Sequence, residues 1–498
     1  MKLYESEQSL ICEFIRLLIL LILFSKFVKL IKSKITFFIH ETPSVVLSCY
    51  NEYMKSKLEK VGLVDADLLA NGTRHPNLVL LKLAGYFRDH NISYSLITDD
   101  NADVSDYDRV YLSKVFTFTP PPKFFVNLRT DDPELFEQKV RFGGTGWYAT
   151  EENLEEFLIK RNKDFYQLDK DPDLPGLNMR TQMPDYDLYK EYVENQIEKG
   201  RSRVYYKDYL DYSIGFLTRG CFRQCPFCVN KLETKVYKYS ALEDFVDSSK
   251  PYIYLWDDNF FASPRSIWKS GMEALIATKK PFQFRQGLDV RLLNDEKAEL
   301  LARSRYHGDM IFAFDNWRDR EIIEKHLKIW KKHCPSKTTK FYLFCGFELT
   351  PNDDAKLLQD IKEIFWRIRI LMSYGCLGYV MRHEDYKKHD LANIYVQIAR
   401  WCNQPQFYKK MSFWEFCYRN QTFWEETALK KKSVALKTYE DFMADYANGY
   451  YEDIKLCLPI KTLLKFLKRF EGSKEELLEL FNLKMADLIN PQLWGGVL

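Results

Sequence analysis

Three cysteines on one short loop are the residues of this chain whose spacing points most directly to chemistry. Cys221, Cys225 and Cys228 lie in the run Gly220-Cys-Phe-Arg-Gln-Cys-Pro-Phe-Cys-Val-Asn230, with three and then two residues between them. Thiolates are soft ligands that select iron–sulfur clusters, zinc or copper(I). A [4Fe–4S] cluster normally takes four cysteines, so a loop that offers three leaves one iron open to a substrate or cofactor.

Two other uses of these thiols make different demands on the sequence. A structural zinc site needs four ligands, often as two close pairs, and the chain has no second Cys-x-x-Cys pair. Disulfides would require an oxidising compartment, whereas single scattered cysteines are typical of inert buried thiols in a reducing, cytoplasmic setting. Eight of the 11 cysteines are scattered in this way: Cys12, Cys49, Cys334, Cys345, Cys376, Cys402, Cys417 and Cys457.

The cysteine run resembles the motif of the radical S-adenosylmethionine (SAM) enzymes, and Phe227 stands where that family has an aromatic residue beside the adenine. The resemblance implies a [4Fe–4S] cluster on the three cysteines, with SAM chelating the fourth iron. It implies reductive cleavage of SAM to methionine and a deoxyadenosyl radical, with an electron donor such as flavodoxin or ferredoxin. Within that family, the chain resembles an uncharacterised group of bacterial and phage proteins, so the resemblance does not indicate which substrate is used.

Length and composition indicate a globular protein of two to four domains. The chain has 498 residues, and 46% of them are hydrophobic while 29% are charged. Its formal net charge of +3 gives no footprint for general nucleic-acid binding, although a local basic patch can be hidden in such an average.

The N-terminal extension, residues 1–53, contains the apolar run Leu17–Ser25 between basic residues. The run is too short for a membrane-spanning helix and has no small-residue cleavage site. Two interpretations stay open: an interfacial amphipathic helix with membrane-surface contact, or a segment outside the working fold, with Met54 as the true start.

A small Rossmann-like α/β domain is predicted over residues 54–149. Strand-like runs at 61–67, 92–98 and 109–116 surround a helical pattern at 77–89, which Pro76 would begin. A glycine turn, 143–146, fits a tight turn better than a phosphate cradle. The domain weakly resembles the cobalamin-binding domain of some radical SAM enzymes, but Asp67 replaces the histidine that ligates cobalt. We therefore expect no cobalamin here.

A connector is predicted over 150–210, followed by a regular alternation of strands and helices over 211–385. Buried strands are expected at 213–219, 252–256, 282–286, 310–314, 340–345 and 377–381, with helices such as 295–304 and 319–333 between them. Six such units resemble the partial (β/α)6 barrel of the radical SAM core. An aromatic-rich helical tail, 386–498, follows, with amphipathic helices near 460–469 and 474–481, and ordinary core packing accounts for its aromatic residues.

Polar residues at the carboxyl ends of these strands are the candidate ligands of SAM, because parallel α/β folds place ligands there. By the resemblance, the residues after the second strand take the amino group, Arg285 takes the carboxylate, and Met381 packs at the adenine. Gly346 would permit close approach of a flat ligand. The candidate cofactor-binding residues are Phe227, Asp257, Asp258, Asn259, Arg285, Gln286, Asp289, Asp315, Gly346 and Met381.

The sequence therefore predicts a radical SAM enzyme that abstracts hydrogen from an unknown substrate. Two alternatives remain. A cobalamin-dependent or methylthio-transferring relative would need a corrinoid or a second cluster, and neither signature is present. A non-enzymatic protein would use the three cysteines for a structural metal site.

Overall fold

The computed structural model describes residues 58–148, 168–230 and 233–494 of the chain. They belong to two compact units, which divide between Asp211 and Tyr212. The predicted N-terminal extension, with its apolar run, lies outside the described residues. Within the described ranges, no helix combines the length and apolar character needed to cross a membrane.

The first unit is built on a four-stranded parallel sheet in the order β2-β1-β3-β4. Its strands are β1 (Lys60–Asp65), β2 (Ser93–Leu96), β3 (Arg109–Ser113) and β4 (Val140–Gly143). Its helices are α1 (Ala66–Asn71), α2 (Leu78–Asp89), α3 (Lys123–Asp131), α4 (Pro133–Lys139), α5 (Thr145–Tyr148), α6 (Lys190–Glu198) and α7 (Lys207–Leu210). The predicted parallel α/β architecture is confirmed, and β4 is an additional strand.

Helix α2 begins one residue later than the sequence predicts. Asn77, not Pro76, ends the extended segment, and its side chain accepts hydrogen bonds from the backbone N–H groups of Val79 and Leu80 at 3.1 and 3.3 Å. An asparagine at this position satisfies N–H groups that have no partner inside the helix, which a proline cannot do.

Residues 150–167 of the predicted connector, 150–210, lie outside the described residues. The segment from 168 to 211, which contains the rest of it, packs against the α/β layer of the first unit. Tyr189 is 1% exposed and donates a hydrogen bond from its hydroxyl to Asp65 at 2.8 Å. Lys82 of α2 donates to the carbonyl of Met179 at 2.7 Å. A Cβ on Gly85 of α2 would overlap the carbonyl oxygen of Met183, so glycine lets this segment approach the helix closely.

The glycine turn after β4 is a close backbone contact. Gly144 has a positive φ of 108°, and a Cβ there would overlap the carbonyl of Lys114. The N–H of Gly146 donates to that carbonyl at 3.0 Å, and Thr145 Oγ1 donates to the carbonyl of Val115 at 2.8 Å. The predicted tight turn is therefore packed on the chain that leaves β3.

The second unit contains six parallel strands that follow one another in chain order. Two three-stranded sheets, β5-β8-β9 and β10-β11-β12, are joined by single bridges from Phe282 to Tyr306 and from Leu288 to Phe312. The strands are β5 (Tyr212–Gly215), β6 (Thr218–Arg219), β7 (Tyr237–Lys238), β8 (Tyr252–Leu255), β9 (Phe282–Phe284), β10 (Met310–Ala313), β11 (Thr339–Cys345) and β12 (Leu377–Arg382). Strands β6 and β7 form a separate antiparallel hairpin.

Helices connect the strands from β8 onward and continue into the C-terminal region. They are α8 (Arg265–Ala277), α9 (Asp295–Ala302), α10 (Arg320–His333), α11 (Asp354–Ser373), α12 (Asn393–Cys402), α13 (Pro405–Tyr408), α14 (Phe413–Leu429), α15 (Tyr439–Ala447), α16 (Leu458–Arg469), α17 (Lys474–Phe481) and α18 (Met485–Leu488). Strands and C-terminal helices share one hydrophobic core. The predicted helical C-terminal region is confirmed, and its Trp401 and Trp414 are core residues, 0% and 1% exposed.

The edge strand β12 is covered by the C-terminal helices. Asn403, which follows α12, accepts a hydrogen bond from the N–H of Val380 at 2.7 Å and donates to its carbonyl at 3.1 Å. A Cβ on Gly378 would lie 2.7 Å from Cys402 Sγ, so the helix approaches the strand closely. This cover protects an edge that would otherwise pair with another chain.

Candidate metal and cofactor site

The hairpin of β6 and β7 carries the cysteines. We call residues 220–230 the Cys loop. Its base is closed by the pairing of β6 with β7 and by a hydrogen bond of 2.9 Å from the N–H of Cys221 to the carbonyl of Glu233. Gly220 has a φ of 94°, and a Cβ there would overlap the carbonyl of Lys235, so the loop can begin only with glycine. Gln224, with a φ of 47°, turns the chain between the first two cysteines.

The three thiols of the Cys loop differ from the other described cysteines in exposure. None of the nine described cysteines is in a disulfide; Cys221, Cys225 and Cys228 are partly exposed, while the other six are buried, as the sequence predicts for inert thiols. Burial, followed by Asp315 and the two neighbouring thiols, raises the pKa of Cys225. Both other thiols are therefore close enough to affect the ionisation of Cys225.

Two hydrogen bonds are directed at the sulfur atoms. The side-chain amide of Asn259 donates to Cys221 Sγ at 3.5 Å, and the N–H of Asn230 donates to Cys228 Sγ at 3.4 Å. Such N–H···S contacts stabilise thiolates and tune the potential of a cluster that they hold.

The two acids that follow β8 hold the Cys loop in place. Asp257 is 2% exposed and accepts hydrogen bonds from the N–H of Leu217, and from the N–H and hydroxyl of Thr218, at 3.2, 2.5 and 2.6 Å. Burial raises the pKa of Asp257 to about 7. Asp258 accepts from the N–H of Gly220 at 2.8 Å and pairs with Arg219 at 3.4 Å. Both carboxylates therefore position the chain that enters the loop.

Asn259 lies between the Cys loop and the end of β9. Its side chain is 5% exposed, and its amide nitrogen contacts both Cys221 Sγ and Asp289 Oδ2 at 3.5 Å. Its Oδ1 is buried, and no described residue donates a hydrogen bond to it. A buried acceptor without a donor costs free energy, so this oxygen is suited to receive a donor from a ligand.

Asp289 is the centre of an arginine network. It accepts a hydrogen bond from Arg223 of the Cys loop at 2.8 Å and from Arg291 Nε at 2.7 Å. Burial alone would raise the pKa of Asp289, but the two guanidinium groups lower it below the usual range. Arg291 also bonds Asp319 at 2.6 Å. Asp289, which the sequence predicts as a cofactor-binding residue, therefore ties the Cys loop to the end of β9.

Three further candidates, Arg285, Gln286 and Asp315, lie just after the ends of β9 and β10. The guanidinium of Arg285 stacks 4.6 Å from the centre of the Tyr254 ring, while Gln286 is exposed. Burial raises the pKa of Asp315 to about 6, and Arg367 opposes that shift.

At the end of β11, an aromatic contact joins the Cys loop to the sheet. Strand β11 alternates between buried residues under the helices and partly exposed ones. We call the second side, with the register pairs Tyr342–Tyr379 and Phe344–Met381, the open face. Phe227 stacks on Phe344 with 3.8 Å between ring centres. Met381, 43% exposed, neighbours that stack on the open face.

Neither Cys345 nor Gly346 lies on the open face of β11. The thiol of Cys345 is 2% exposed, on the side of β11 opposite Phe344, and contacts the carbonyl of Met381 at 3.6 Å. A Cβ on Gly346 would lie 2.7 Å from the Cβ of Tyr386, so the space beside this glycine is filled by a side chain of the protein.

One positioning residue has no signal in the sequence. Arg367 of α11 is 1% exposed, and its Nη1 donates to the carbonyls of Phe314, Asp315 and Phe344 at 2.8, 3.0 and 3.0 Å. It therefore joins the carboxyl ends of β10 and β11. Arg219 and Arg223 were also not predicted, although their places beside the cysteines in sequence could have indicated ion pairs with the strand-end acids.

Neither a protein family model nor a curated protein matches the chain. Within 58–148, 168–230 and 233–494, no group of three or more His, Cys, Asp or Glu side chains is arranged to hold a single metal ion. The three protein thiolates of a cubane cluster bind three different irons, so their spacing is wider than around one ion.

Proposed function

We propose that this protein is a radical SAM enzyme whose Cys loop holds a [4Fe–4S] cluster through Cys221, Cys225 and Cys228. The observation that carries the proposal is the combination of three partly exposed thiols on one fixed loop with the buried Oδ1 of Asn259 beside them, to which no described residue donates a hydrogen bond. Such a cluster, reduced by an external electron donor, would supply the one electron needed to cleave bound SAM into methionine and a radical able to abstract hydrogen from a substrate.

The donor set suits an open cluster. Thiolates are the ligands of iron–sulfur clusters, and three of them leave one iron for SAM. Asn259 Oδ1 would accept a hydrogen bond from the amino group of SAM, which gives a donor to an acceptor that is otherwise buried without one. Arg285 and Gln286 are the remaining candidates for the SAM carboxylate and ribose.

The residues around the loop have positioning roles in this proposal. Asp257, Asp258 and Asp289 are already bonded to the loop or to its flanking arginines, so we assign them to holding the thiols rather than to binding SAM directly. Phe227 of the Cys loop stacks on Phe344 of β11, and this pair would exclude water from that side of the loop. The six parallel strands in chain order are the architecture expected of a partial (β/α)6 barrel.

The test is anaerobic reconstitution of the full-length protein with iron and sulfide, followed by SAM and dithionite. We expect deoxyadenosine and methionine as products, and an electron paramagnetic resonance spectrum of the reduced protein that SAM changes. Each of Cys221→Ala, Cys225→Ala and Cys228→Ala should lose cluster and SAM cleavage together, because two thiolates are too few for a cubane.

Cys345→Ala is the matched control. This thiol lies on the opposite side of β11 from the Phe227–Phe344 stack, so its removal should leave iron content and SAM cleavage unchanged. Loss of the cluster in Cys345→Ala, or a spectrum that SAM does not alter, would contradict an open site. Stoichiometric zinc without iron in protein purified anaerobically would instead support a structural metal site.

A further inference from the structure

A cleft of about 620 Å³ lies among three helices of the C-terminal region. Arg400 at the end of α12 forms one side, and the stretch of α14 from Arg419 to Glu426 forms another. The first turn of α16, with Leu458 and Pro459, completes it. A volume of this size falls within the range of ligand-binding pockets.

Two neighbouring aromatic rings line this cleft: Phe423 lies outside the core, while Trp424 packs partly buried against the edge of the core. Phe423 is 63% exposed, and Trp424, which packs on it edge to face at 5.9 Å, is partly exposed. Trp414, ten positions earlier on the same helix, is 1% exposed. Helix α14 therefore buries Trp414 and presents Phe423 and part of Trp424 at the cleft, and an exposed ring of this kind can stack on an unpaired base.

Positive charge surrounds these rings. Arg419 stacks 5.1 Å from the ring centre of Phe407, and Arg400 donates to Gln397 at 2.9 Å. No carboxylate among the described residues pairs with either guanidinium within 4 Å. Glu426, the acidic residue of the lining, accepts a hydrogen bond from the N–H of Val434 at 3.2 Å.

Further positive groups extend the charge beyond the lining. Lys455 lies 4.7 Å from the ring centre of Trp424. The exposed run 430–432, three lysines, follows the end of α14. The cleft is thus a local basic patch in a chain whose net charge is only +3.

We propose that this cleft binds single-stranded nucleic acid. Guanidinium and ammonium groups neutralise backbone phosphates, while exposed rings offer stacking platforms to unpaired bases, and proteins that bind single strands combine these two features. An acidic peptide would use the charges but not the rings, and a duplex hides the faces of its bases. The inference does not depend on what the Cys loop binds.

The test is fluorescence anisotropy of the full-length protein with labelled oligonucleotides of about 12 nucleotides, a length within the usual site size. Phosphates and unpaired bases occur in both RNA and DNA, so strands of the same sequence are compared to show which of the two the cleft prefers. We expect binding at about 50 mM salt that weakens as salt rises. Phe423→Ala should weaken it roughly tenfold through lost stacking, and Arg419→Gln should lower the salt slope by about 0.7.

The controls are Arg303→Gln and Tyr446→Ala, which remove an exposed guanidinium and an exposed ring outside the cleft lining. Both should bind as the unaltered protein does, and circular dichroism should show all four variants folded. Absence of binding at low salt, equal loss in the controls, or equal affinity for a polyglutamate peptide or a duplex would each overturn the proposal.

Discussion

Asn259 connects the thiols, the arginine network and the space beside them through a single side chain. Its amide donates to Cys221 and Asp289, while Oδ1 is buried without a donor. A buried hydrogen-bonding group left without its partner costs about 1–3 kcal/mol, so Asn259→Ala, which removes the acceptor for the SAM amino group, should weaken SAM binding roughly tenfold or more. Iron content should change little, since the three cysteines remain.

Equilibrium dialysis with labelled SAM, on reconstituted protein, measures this effect. The matched control is Asn393→Ala, which removes an exposed asparagine from the first turn of α12. If Asn259→Ala binds SAM as tightly as the control does, this residue does not contact the amino group. If iron is lost as well, its role is to hold Cys221 rather than to bind SAM.

Residue types at strand ends could be predicted from the sequence, but their partners could not. The pattern placed acids after β8, and Asp257 and Asp258 are there. Their hydrogen bonds go to the chain on either side of β6, which no local pattern reveals because the two segments are about 40 positions apart. The partner of Gly346 could not be predicted either. The sequence indicated that a ligand could approach this glycine, but Tyr386 fills the space beside it.

At the scale of elements, the sequence predicted strands and helices whose apolar periodicity is regular. Strand β4 was missed because Val140–Gly143 is short and directly follows α4, without a turn signal between them. The segment from 168 to 211 is polar, so its sequence predicts only a connector. Its buried side chains, such as Leu174 and Val193, are separated in sequence by polar residues and join the core of the first unit, while Tyr189 and the lysine amine of α2 make hydrogen bonds across the same contact. Scattered apolar residues of this kind do not form a periodic pattern that a sequence analysis can read.

Gly85 tests how that segment is attached. In an exposed helix, Gly→Ala would add about 1 kcal/mol of stability. Here the new Cβ would overlap the carbonyl of Met183, which belongs to the backbone and cannot rotate away. We expect Gly85→Ala to lower the free energy of unfolding by about 2 kcal/mol, the scale of an overpacked core.

Gly143→Ala is the control within the same unit, because a Cβ at this position would have no neighbouring atom within 4 Å and the φ of Gly143 is ordinary. It should change the free energy of unfolding by no more than about 0.5 kcal/mol. Two measurements distinguish the Gly85→Ala and Gly143→Ala variants: urea denaturation, which gives the free energy of unfolding, and hydrogen exchange in peptides of α2. Equal stability of both variants would show that the segment is not packed on α2 as described.

Arg367 tests how two strand ends are held at the candidate site. Arg367→Met removes the donor to three carbonyls, and each buried acceptor left alone costs about 1–3 kcal/mol. We expect a loss of about 3 kcal/mol or more, with faster hydrogen exchange in peptides of β10 and β11.

The matched control for this clamp is Arg369→Met, two residues further along α11. That side chain is 48% exposed and pairs with Glu479 at 3.0 Å, an exposed ion pair that contributes no more than about 1 kcal/mol. A loss in Arg369→Met as large as that in Arg367→Met would mean that the helix, and not the carbonyl clamp, is responsible.

At the scale of the whole molecule, the two units differ in the groups that they offer to a ligand at the ends of their strands. The second unit has thiols and an unpartnered acceptor at the carboxyl ends of its strands. In the first unit, the order β2-β1-β3-β4 places a change of direction between β1 and β3, where α/β folds bind ligands. That position is occupied by the protein itself. Asp65 there accepts from Tyr189 at 2.8 Å, and burial raises the pKa of Asp65 to about 7.

Asp67 is the reason why we expect the first unit not to bind cobalamin. It stands where a cobalt-ligating histidine would be, and its carboxylate accepts hydrogen bonds from the N–H groups of Val115 and Phe116 and from the hydroxyl of Thr119, at 2.6, 3.3 and 2.6 Å. A side chain that is 2% exposed and has three donors holds the loop after β3 in place. We predict no tight binding of hydroxocobalamin in equilibrium dialysis, with an established corrinoid-binding protein as positive control.

The same residue supplies a structural readout for this last prediction. Asp67→Ala should speed hydrogen exchange at the N–H groups of Val115 and Phe116, because they lose their acceptor, and should leave corrinoid retention at background. Stoichiometric retention by the unaltered protein, with a shifted corrin spectrum, would contradict the prediction. The first unit would then be a corrinoid domain that ligates cobalt without this histidine, and a radical methyltransferase would become the better proposal for the whole molecule.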